Sequence, residues 1–243
     1  MRISGKSQHA LLPVRLSETT VHHDIRTGAL TAYVRLLSFL KTNAMEQFTL
    51  RTFYLKKKVI FPYCTLAVFT SPSAESKDIK KGDRILAVTV RSSVDLLLPR
   101  KRLATLAEIM DIQIDDKTVK IILKGLNRVK IQRIIKFNRA EFEQMTVQSV
   151  GPHPKIIEEL RKKSQELIFL INVEESDKLI KLLNYIIDLN QMTDFISNYF
   201  VMDFSARYRL YNETDTIKRS HMLLSELTGL ISKLTKKRKK TEL

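Results

Sequence analysis

Residues 103–131 read LATLAEIMDIQIDDKTVKIILKGLNRVKI, and the fold follows from this stretch. Val119, Ile121 and Leu123 alternate with Lys120 and Lys124, the period-2 pattern of a strand with one buried face, although Ile122 makes the other face only partly wet. Asp115, Asp116 and Lys117 supply the hairpin turn that joins this strand to the apolar run Leu103–Ile114. Gly125 interrupts where a β-branched residue could not take positive φ. Val129 and Ile131 then alternate with Arg128, Lys130 and Gln132, as a further strand requires.

Working outward, strand patterns occupy 48–55, 65–69, 84–90, 103–114, 117–124, 127–135 and 142–150, separated by Ser, Asp, Gly and Pro signals. Seven short strands around a small core predict a curled sheet or partial barrel. Gly151, Pro152 and Pro154 mark a boundary, and Pro154 suits the first turn of a helix, where its missing N–H would have been unpaired anyway. Beyond it, Ile156, Ile157, Leu160, Leu167, Ile168 and Ile171 recur at helical spacing. Ser176 is placed to cap a second helix through Leu179, Ile180, Leu183, Ile186 and Ile187. A third helix runs over 191–200, a short turn or helix over 203–210, and Thr214 can cap a last helix carrying Ile217, Leu223, Leu224, Leu227, Ile231 and Leu234. The expectation is an α+β chain in four parts: an extension at 1–44, a β-rich part at 45–151, a helical bundle at 152–234 and a basic tail at 235–243.

The hairpin also carries a resemblance. Leu103-Ala104-Thr105-Leu106-Ala107, then Asp116-Lys117-Thr118-Val119-Lys120, then Lys124-Gly125-Leu126-Asn127-Arg128 resemble the successive motifs of the N-terminal domain of ATP-dependent Lon proteases. Leu50, Phe53, Leu55, Val59, Ile60, Phe61, Pro62 and Phe69 resemble that family's opening strand and its phenylalanine-proline step, so the likeness runs roughly over 49–234. Ala104 stands where the family has glycine, and 71–82 is shorter than the family's helical segment there. The resemblance implies a PUA-like β-barrel followed by helices. It also implies a non-catalytic module that recognises unfolded or exposed polypeptide, or a protein partner, in connection with proteolysis. No ATPase or peptidase motif follows within the chain, so the module is expected to act alone, cooperating or competing with a separate protease. Met45 precedes the point where the resemblance begins, and 1–44 is read as disordered or as lying upstream of the biological start.

Candidate contacts for polypeptide are Tyr54, Tyr63, Phe69 and Leu98, large side chains near strand ends that the alternation does not need. The competing reading is a nucleic-acid or ribosome-associated protein. The formal charge is +16, of which +5 falls in 233–243 and +4 in the first 44 residues, and Arg100, Lys101, Arg102, Lys124, Arg128 and Lys130 could build a basic rim beside the tail.

The search for chemistry returns little. Gly5-Lys6-Ser7 lacks the earlier glycine of a phosphate loop. His22, His23 and Asp24 are adjacent and have no second histidine pair at helical spacing, so no metal or other cofactor is expected. No nucleophile elbow is present, and Asp115 and Asp116 serve a turn, so the chain reads as a non-enzyme. The single cysteine, Cys64, excludes an internal disulfide and suits a reducing cytoplasm. Its apolar setting predicts burial. No apolar run approaches the roughly 20 residues of a membrane span.

Overall fold

The computed structural model describes residues 49–72, 78–96, 102–136, 138–145, 151, 153–171 and 176–241. The N-terminal extension, with His22, His23 and Asp24, lies outside them. So do Leu98, Arg100 and Lys101.

Six strands come first: β1 (Thr49–Lys56), β2 (Thr65–Thr70), β3 (Arg84–Val90), β4 (Leu103–Ile114), β5 (Val119–Lys136) and β6 (Arg139–Gln144), with a 3-10 turn at Ser93–Leu96. They form one mixed sheet in the order β2-β5-β4-β3-β1-β6, and a further pairing of β5 with β6 closes five of the strands into a barrel. β1 and β3 run parallel, while the other pairs are antiparallel.

The two strands expected at 117–124 and 127–135 are one strand of 18 residues. Gly125 does not end it. Gly125 lies opposite Ala107 and Asn127 opposite Leu106, so Leu126 is an extra residue, a bulge that bends β5 without breaking it. Odd-numbered residues of β5 change sides across this bulge. Val119, Ile121 and Leu123 join a core with Leu55, Ile60, Ile85 and Ile109, whereas Val129 and Ile131 join another with Leu86, Leu106 and Phe142. β3 supplies alternate residues to both cores, which is why it is buried on both faces. The last strand is also displaced: it begins at Arg139 and not at Phe142, because its pairing with β5 starts at Lys136↔Arg139, next to the turn.

Five helices follow: α1 (Pro154–Ile171), α2 (Ser176–Tyr185), α3 (Leu189–Phe200), α4 (Phe204–Asn212) and α5 (Thr216–Thr241). Pro154 occupies the first helical position, as expected. The second helix stops at Tyr185, which leaves Ile186 buried and Ile187 exposed, and Asp188 caps α3 by accepting from the Gln191 N–H at 2.7 Å. Asp203 caps α4 in the same way, through Ala206 N at 2.7 Å. The last helix is capped by Asp215, which accepts from Lys218 N at 3.0 Å. Thr214 lies one residue too early.

The helical core of Leu160, Ile168, Leu183, Met192, Ile196, Leu210, Leu223 and Leu227 also takes in Val59, Phe61 and Cys64 from the segment between β1 and β2. That segment is therefore where barrel and helices are joined.

Candidate functional site

Phe61-Pro62-Tyr63-Cys64 forms a tight turn, with Cys64 N–H donating to Phe61 O at 3.3 Å. Pro62 sets the second position of the turn. Tyr63 occupies the third at φ 64°, where glycine is the usual residue. A left-handed non-glycine residue costs about 1–3 kcal/mol and persists only where its surroundings hold it. Here the backbone does so. Tyr63 N–H donates to Gly125 O, and Gly125 N–H donates to Cys64 O, both at 2.9 Å. The turn lies so close to β5 that a Cβ on Gly125 would sit 3.0 Å from the carbonyl carbon of Phe61 and 3.3 Å from Pro62 Cα. Gly125 is needed for this approach and does not have positive φ, which corrects the reason expected from the sequence.

The turn delivers the chain into β2. In register with β5, Thr65 faces Lys124, Ala67 faces Ile122 and Phe69 faces Lys120. Thr65, Ala67 and Phe69 are exposed, and Phe69 keeps 60% of its surface in water. Tyr63, half exposed at 50%, precedes them. Val68, on the opposite side, is buried in the core. Among the described residues β2 pairs only with β5, so its other edge is open. The neighbouring surface has fixed polar groups: Lys120 Nζ donates to Gln113 Oε1 at 3.3 Å, and Gln113 Nε2 donates to Asp111 Oδ2 at 3.0 Å. Ile122 stays half-buried between Lys120 and Lys124 of β5, and Met110 is exposed at the irregularity between Ile109 and Asp111.

Behind the turn lies a buried ionic clamp. Arg128 of β5 makes a two-pronged pair with Asp194 of α3, Nη1 and Nη2 each 2.7 Å from a carboxylate oxygen, and its Nε donates to Tyr211 O at 3.2 Å. Burial pulls the Arg128 guanidinium down, but the charge and hydrogen bonds of Asp194 outweigh it and hold its pKa above the usual arginine value. Arg219 of α5 is a second cation, its Nε 3.6 Å from Asp194 Oδ1. It donates to Glu213 O at 2.8 Å, Thr193 Oγ1 at 3.3 Å and Asn190 Oδ1. Burial first, and then the like charge of Arg128, lower its pKa to about 10. Thr105 Oγ1 donates to Ile60 O at 2.7 Å, which leaves it as acceptor for the Tyr211 hydroxyl at 2.9 Å. Arg207 of α4 donates to Val59 O and Asn198 Oδ1, and its guanidinium lies over the Phe61 ring at 5.9 Å. Each helix from α3 to α5 thus sends a polar side chain into the joint.

Cys64 lies beside this clamp, buried as expected. Burial and then the charge of Asp194 push its thiol up to about 12. At pH 8 its thiolate population is about three orders of magnitude below that of an exposed cysteine. Native protein is therefore expected to react with a thiol-specific disulfide reagent at least about 100-fold more slowly than protein in guanidinium. Comparable rates, followed by the absorbance of the released thiolate, would contradict the placement.

Of the sequence candidates for polypeptide contact, Tyr63 and Phe69 are both exposed, at the two ends of the turn and strand just described. Tyr54 is half-buried against the core of Leu86 and Val129, and Leu98 lies outside the described residues. Of the basic-rim candidates, Arg100 and Lys101 lie outside the described residues, and the four described ones do not share a face. Arg128 is inside, paired with Asp194. The bulge at Leu126 turns Lys124 and Lys130 to opposite sides of β5, and Arg102 is half-buried, its carbonyl accepting from Ile131 N–H. Sequence reading missed Asp194, Arg219 and Tyr211. The available signal was a carboxylate and a guanidinium set within otherwise apolar helix stripes. It missed Ala67 because a small residue on an exposed face gives no signal.

Residues 49–229 match the family of the ATP-dependent protease La (LON) substrate-binding domain. The chain belongs to that family. The N-terminal domain of the Mycobacterium avium complex Lon protease superposes with a TM-score of 0.58 at 12% identity, covering 74% of this chain and 98% of that one. A Lon N-terminal domain protein from Xanthomonas campestris does so with a TM-score of 0.51 at 14% identity, covering 73% and 97%. At such identities the likeness is one of fold. No curated protein matches the chain. The Lon substrate-binding domain is a non-catalytic domain. Among the described residues, no group of three His, Cys, Asp or Glu is placed to hold a metal, and no helix is long and apolar enough to cross a membrane.

Proposed function

We propose that this Lon-type domain binds unfolded or exposed segments of polypeptide, in connection with proteolysis, by pairing an extended segment with the open edge of β2. The observation that carries the reading is the edge itself. Exposed edge strands are usually blunted by a lysine, a proline or a bulge, yet Thr-Leu-Ala-Val-Phe-Thr has no charge and no proline, and its register with β5 is unbroken. Unpaired N–H and C=O groups along such a strand give sequence-tolerant affinity, and the side chains beside them give selectivity. Thr65 and Ala67 leave room for incoming side chains between Tyr63 and Phe69, which cap the two ends of a strand about 20 Å long. Membership of a substrate-binding family supports a polypeptide ligand. Free Cys64 fits a reducing cytoplasm as the site of action.

The test uses a reduced, alkylated, permanently unfolded protein as probe. Lysine at both Ala67 and Phe69 is expected to weaken its binding about 10-fold or more while leaving the urea midpoint unchanged, because both positions are exposed. Unchanged affinity would sink the edge-pairing reading. Tyr63→Gly adds a second arm. Relief of the left-handed strain opposes the extra entropy of the unfolded glycine, so stability stays level or rises by up to about 1 kcal/mol, and probe binding falls as the aromatic end of the site is removed.

A further inference from the structure

Three arginines reach into the joint between barrel and helices, and two of them, Arg128 and Arg219, share Asp194. Arg207 has no such partner. Its Nη2 donates to Val59 O at 3.2 Å and to Asn198 Oδ1 at 2.9 Å, both neutral, and its buried Nε has no acceptor. Asp203, one turn earlier, accepts from Ala206 N–H at 2.7 Å and makes no ion pair with Arg207. Burial lowers the Arg207 pKa, and the group that opposes this is the Cys64 thiol, itself pushed up to about 12 and so uncharged at neutral pH. A half-buried guanidinium held by neutral acceptors alone has given up water without gaining a counter-charge, an arrangement that an anion would complete. Nη1 is the edge left for one. Among the described residues it has no hydrogen-bond partner, and it is not enclosed. Asn198, whose side-chain oxygen is taken by Arg207, keeps its NH2 group free beside it. The surroundings are cationic: Lys58 is exposed next to Val59, and Arg91, paired with Asp95, lies over the Tyr208 ring at 5.6 Å.

We propose that Arg207 and Asn198 form a binding point for a carboxylate of a bound polypeptide. The site rests on the reading of the domain as a polypeptide binder, and it is separate from the edge of β2. One uncompensated charge and the N–H donors of Nη1 and Asn198 Nδ2 match a carboxylate, a planar monoanion with two acceptor oxygens. A phosphate carries more charge and is commonly met by the backbone N–H groups of a helix N-terminus. Here the N-terminus of α4 is already filled by the carboxylate of Asp203, which would repel it. The corner joining the two helices adds apolar surface: Met202 is 76% exposed, and Tyr199, next to Asn198, is exposed as well. A chain terminus and an acidic side chain supply the same group, and the test separates them.

NMR titration of the full chain, followed at the Arg207 Nε–H and Asn198 side-chain amide resonances, tests the site with three probes. These are acetyl-Ala-Ala-Leu with a free C-terminal carboxylate, its C-terminal amide, and the C-terminal amide of acetyl-Ala-Glu-Leu. At least one acidic peptide is expected to bind about 10-fold or more tightly than the neutral amide, the worth of a hydrogen bond to a charged group, and which one does so names the source of the carboxylate. Arg207→Gln is expected to bring the ratio of acid to amide affinity close to one, and Arg207→Lys to keep part of it. Because the ratio is taken on a single protein, a variant that is merely less stable does not change it. Arg209→Gln, which removes an exposed charge two residues away, is expected to leave the ratio as it is. The site is overturned by equal affinity for all three peptides, by no binding of any, by an unchanged ratio in Arg207→Gln, by an equal loss in Arg209→Gln, or by tighter binding of inorganic phosphate. These tripeptides are too short to pair along β2, so such a failure leaves edge pairing to be judged by the Ala67 and Phe69 variants alone.

Discussion

Gly125→Ala lowers the unfolding free energy by about 3 kcal/mol or more, read as a fall in the urea midpoint at unchanged slope. The atoms a new Cβ would meet are Phe61 O, Phe61 C and Pro62 Cα, all backbone. No side-chain rotation relieves the clash. Either the turn moves off β5, breaking the paired Tyr63–Gly125 and Gly125–Cys64 hydrogen bonds, or β5 bends away at its bulge. The first route withdraws Phe61 and Cys64 from the helical core and the second disturbs both barrel cores. Alanine at Gly82 makes a useful contrast: nothing lies within 4 Å of its Cβ position, so any cost there comes from its φ of 90°. A Gly125→Ala protein as stable as the parent would mean that turn and strand are not in this contact.

Asp194→Asn is expected to cost about 3–5 kcal/mol, the range for breaking a buried ion pair from one side. Asp194 is fully buried, and it is the carboxylate shared by Arg128 and Arg219. Asparagine keeps the shape and one acceptor, but leaves two buried guanidinium groups without a counter-charge. Replacing both members, Arg128→Met with Asp194→Leu, is expected to recover much of the loss, since a buried pair exchanged for apolar residues is often near neutral. A double-mutant cycle from urea unfolding measures the difference. A single-variant loss under about 1 kcal/mol would show that the clamp does not hold barrel and helices together. Glutamine at Lys124 or Lys130, both exposed, serves as the near-silent comparison.

The two substitutions differ in how far the sequence foretold them. Position 125 stood out as the only glycine between two alternating runs, and its importance was legible although its reason was not. A positive φ and a close backbone approach both demand glycine, and only coordinates separate them. Arg128 was legible as the polar side of a strand, which is correct. What covers that side is a helix some 66 residues further along the chain. Alternation reports which way a side chain points relative to its neighbours and carries no information about what lies there. The merging of two expected strands into β5 has a similar cause. A glycine flanked by polar residues signals a strand end and a bulge equally well, and the pairing of Leu106 with Asn127 decides between them. The helix boundaries at Asp188 and Asp215 were each missed by a few residues or one, because several capping residues stood in line and tertiary packing chose among them.

By itself the sequence determined the local elements, since period-2 and period-3.6 patterns, turn residues and proline positions act over a few residues and need no distant partner. The hairpin of β4 and β5, the run of helices after Pro154, the burial of Cys64 and the kinship with Lon substrate-binding domains were all readable in it. Only the tertiary structure decided that β5 is used twice to close a barrel, that β2 pairs with β5 alone among the described residues, and that Tyr63 and Phe69 are exposed while Arg128 is enclosed. Those outcomes depend on pairings and contacts between residues tens of positions apart, set by how the whole chain buries its apolar surface.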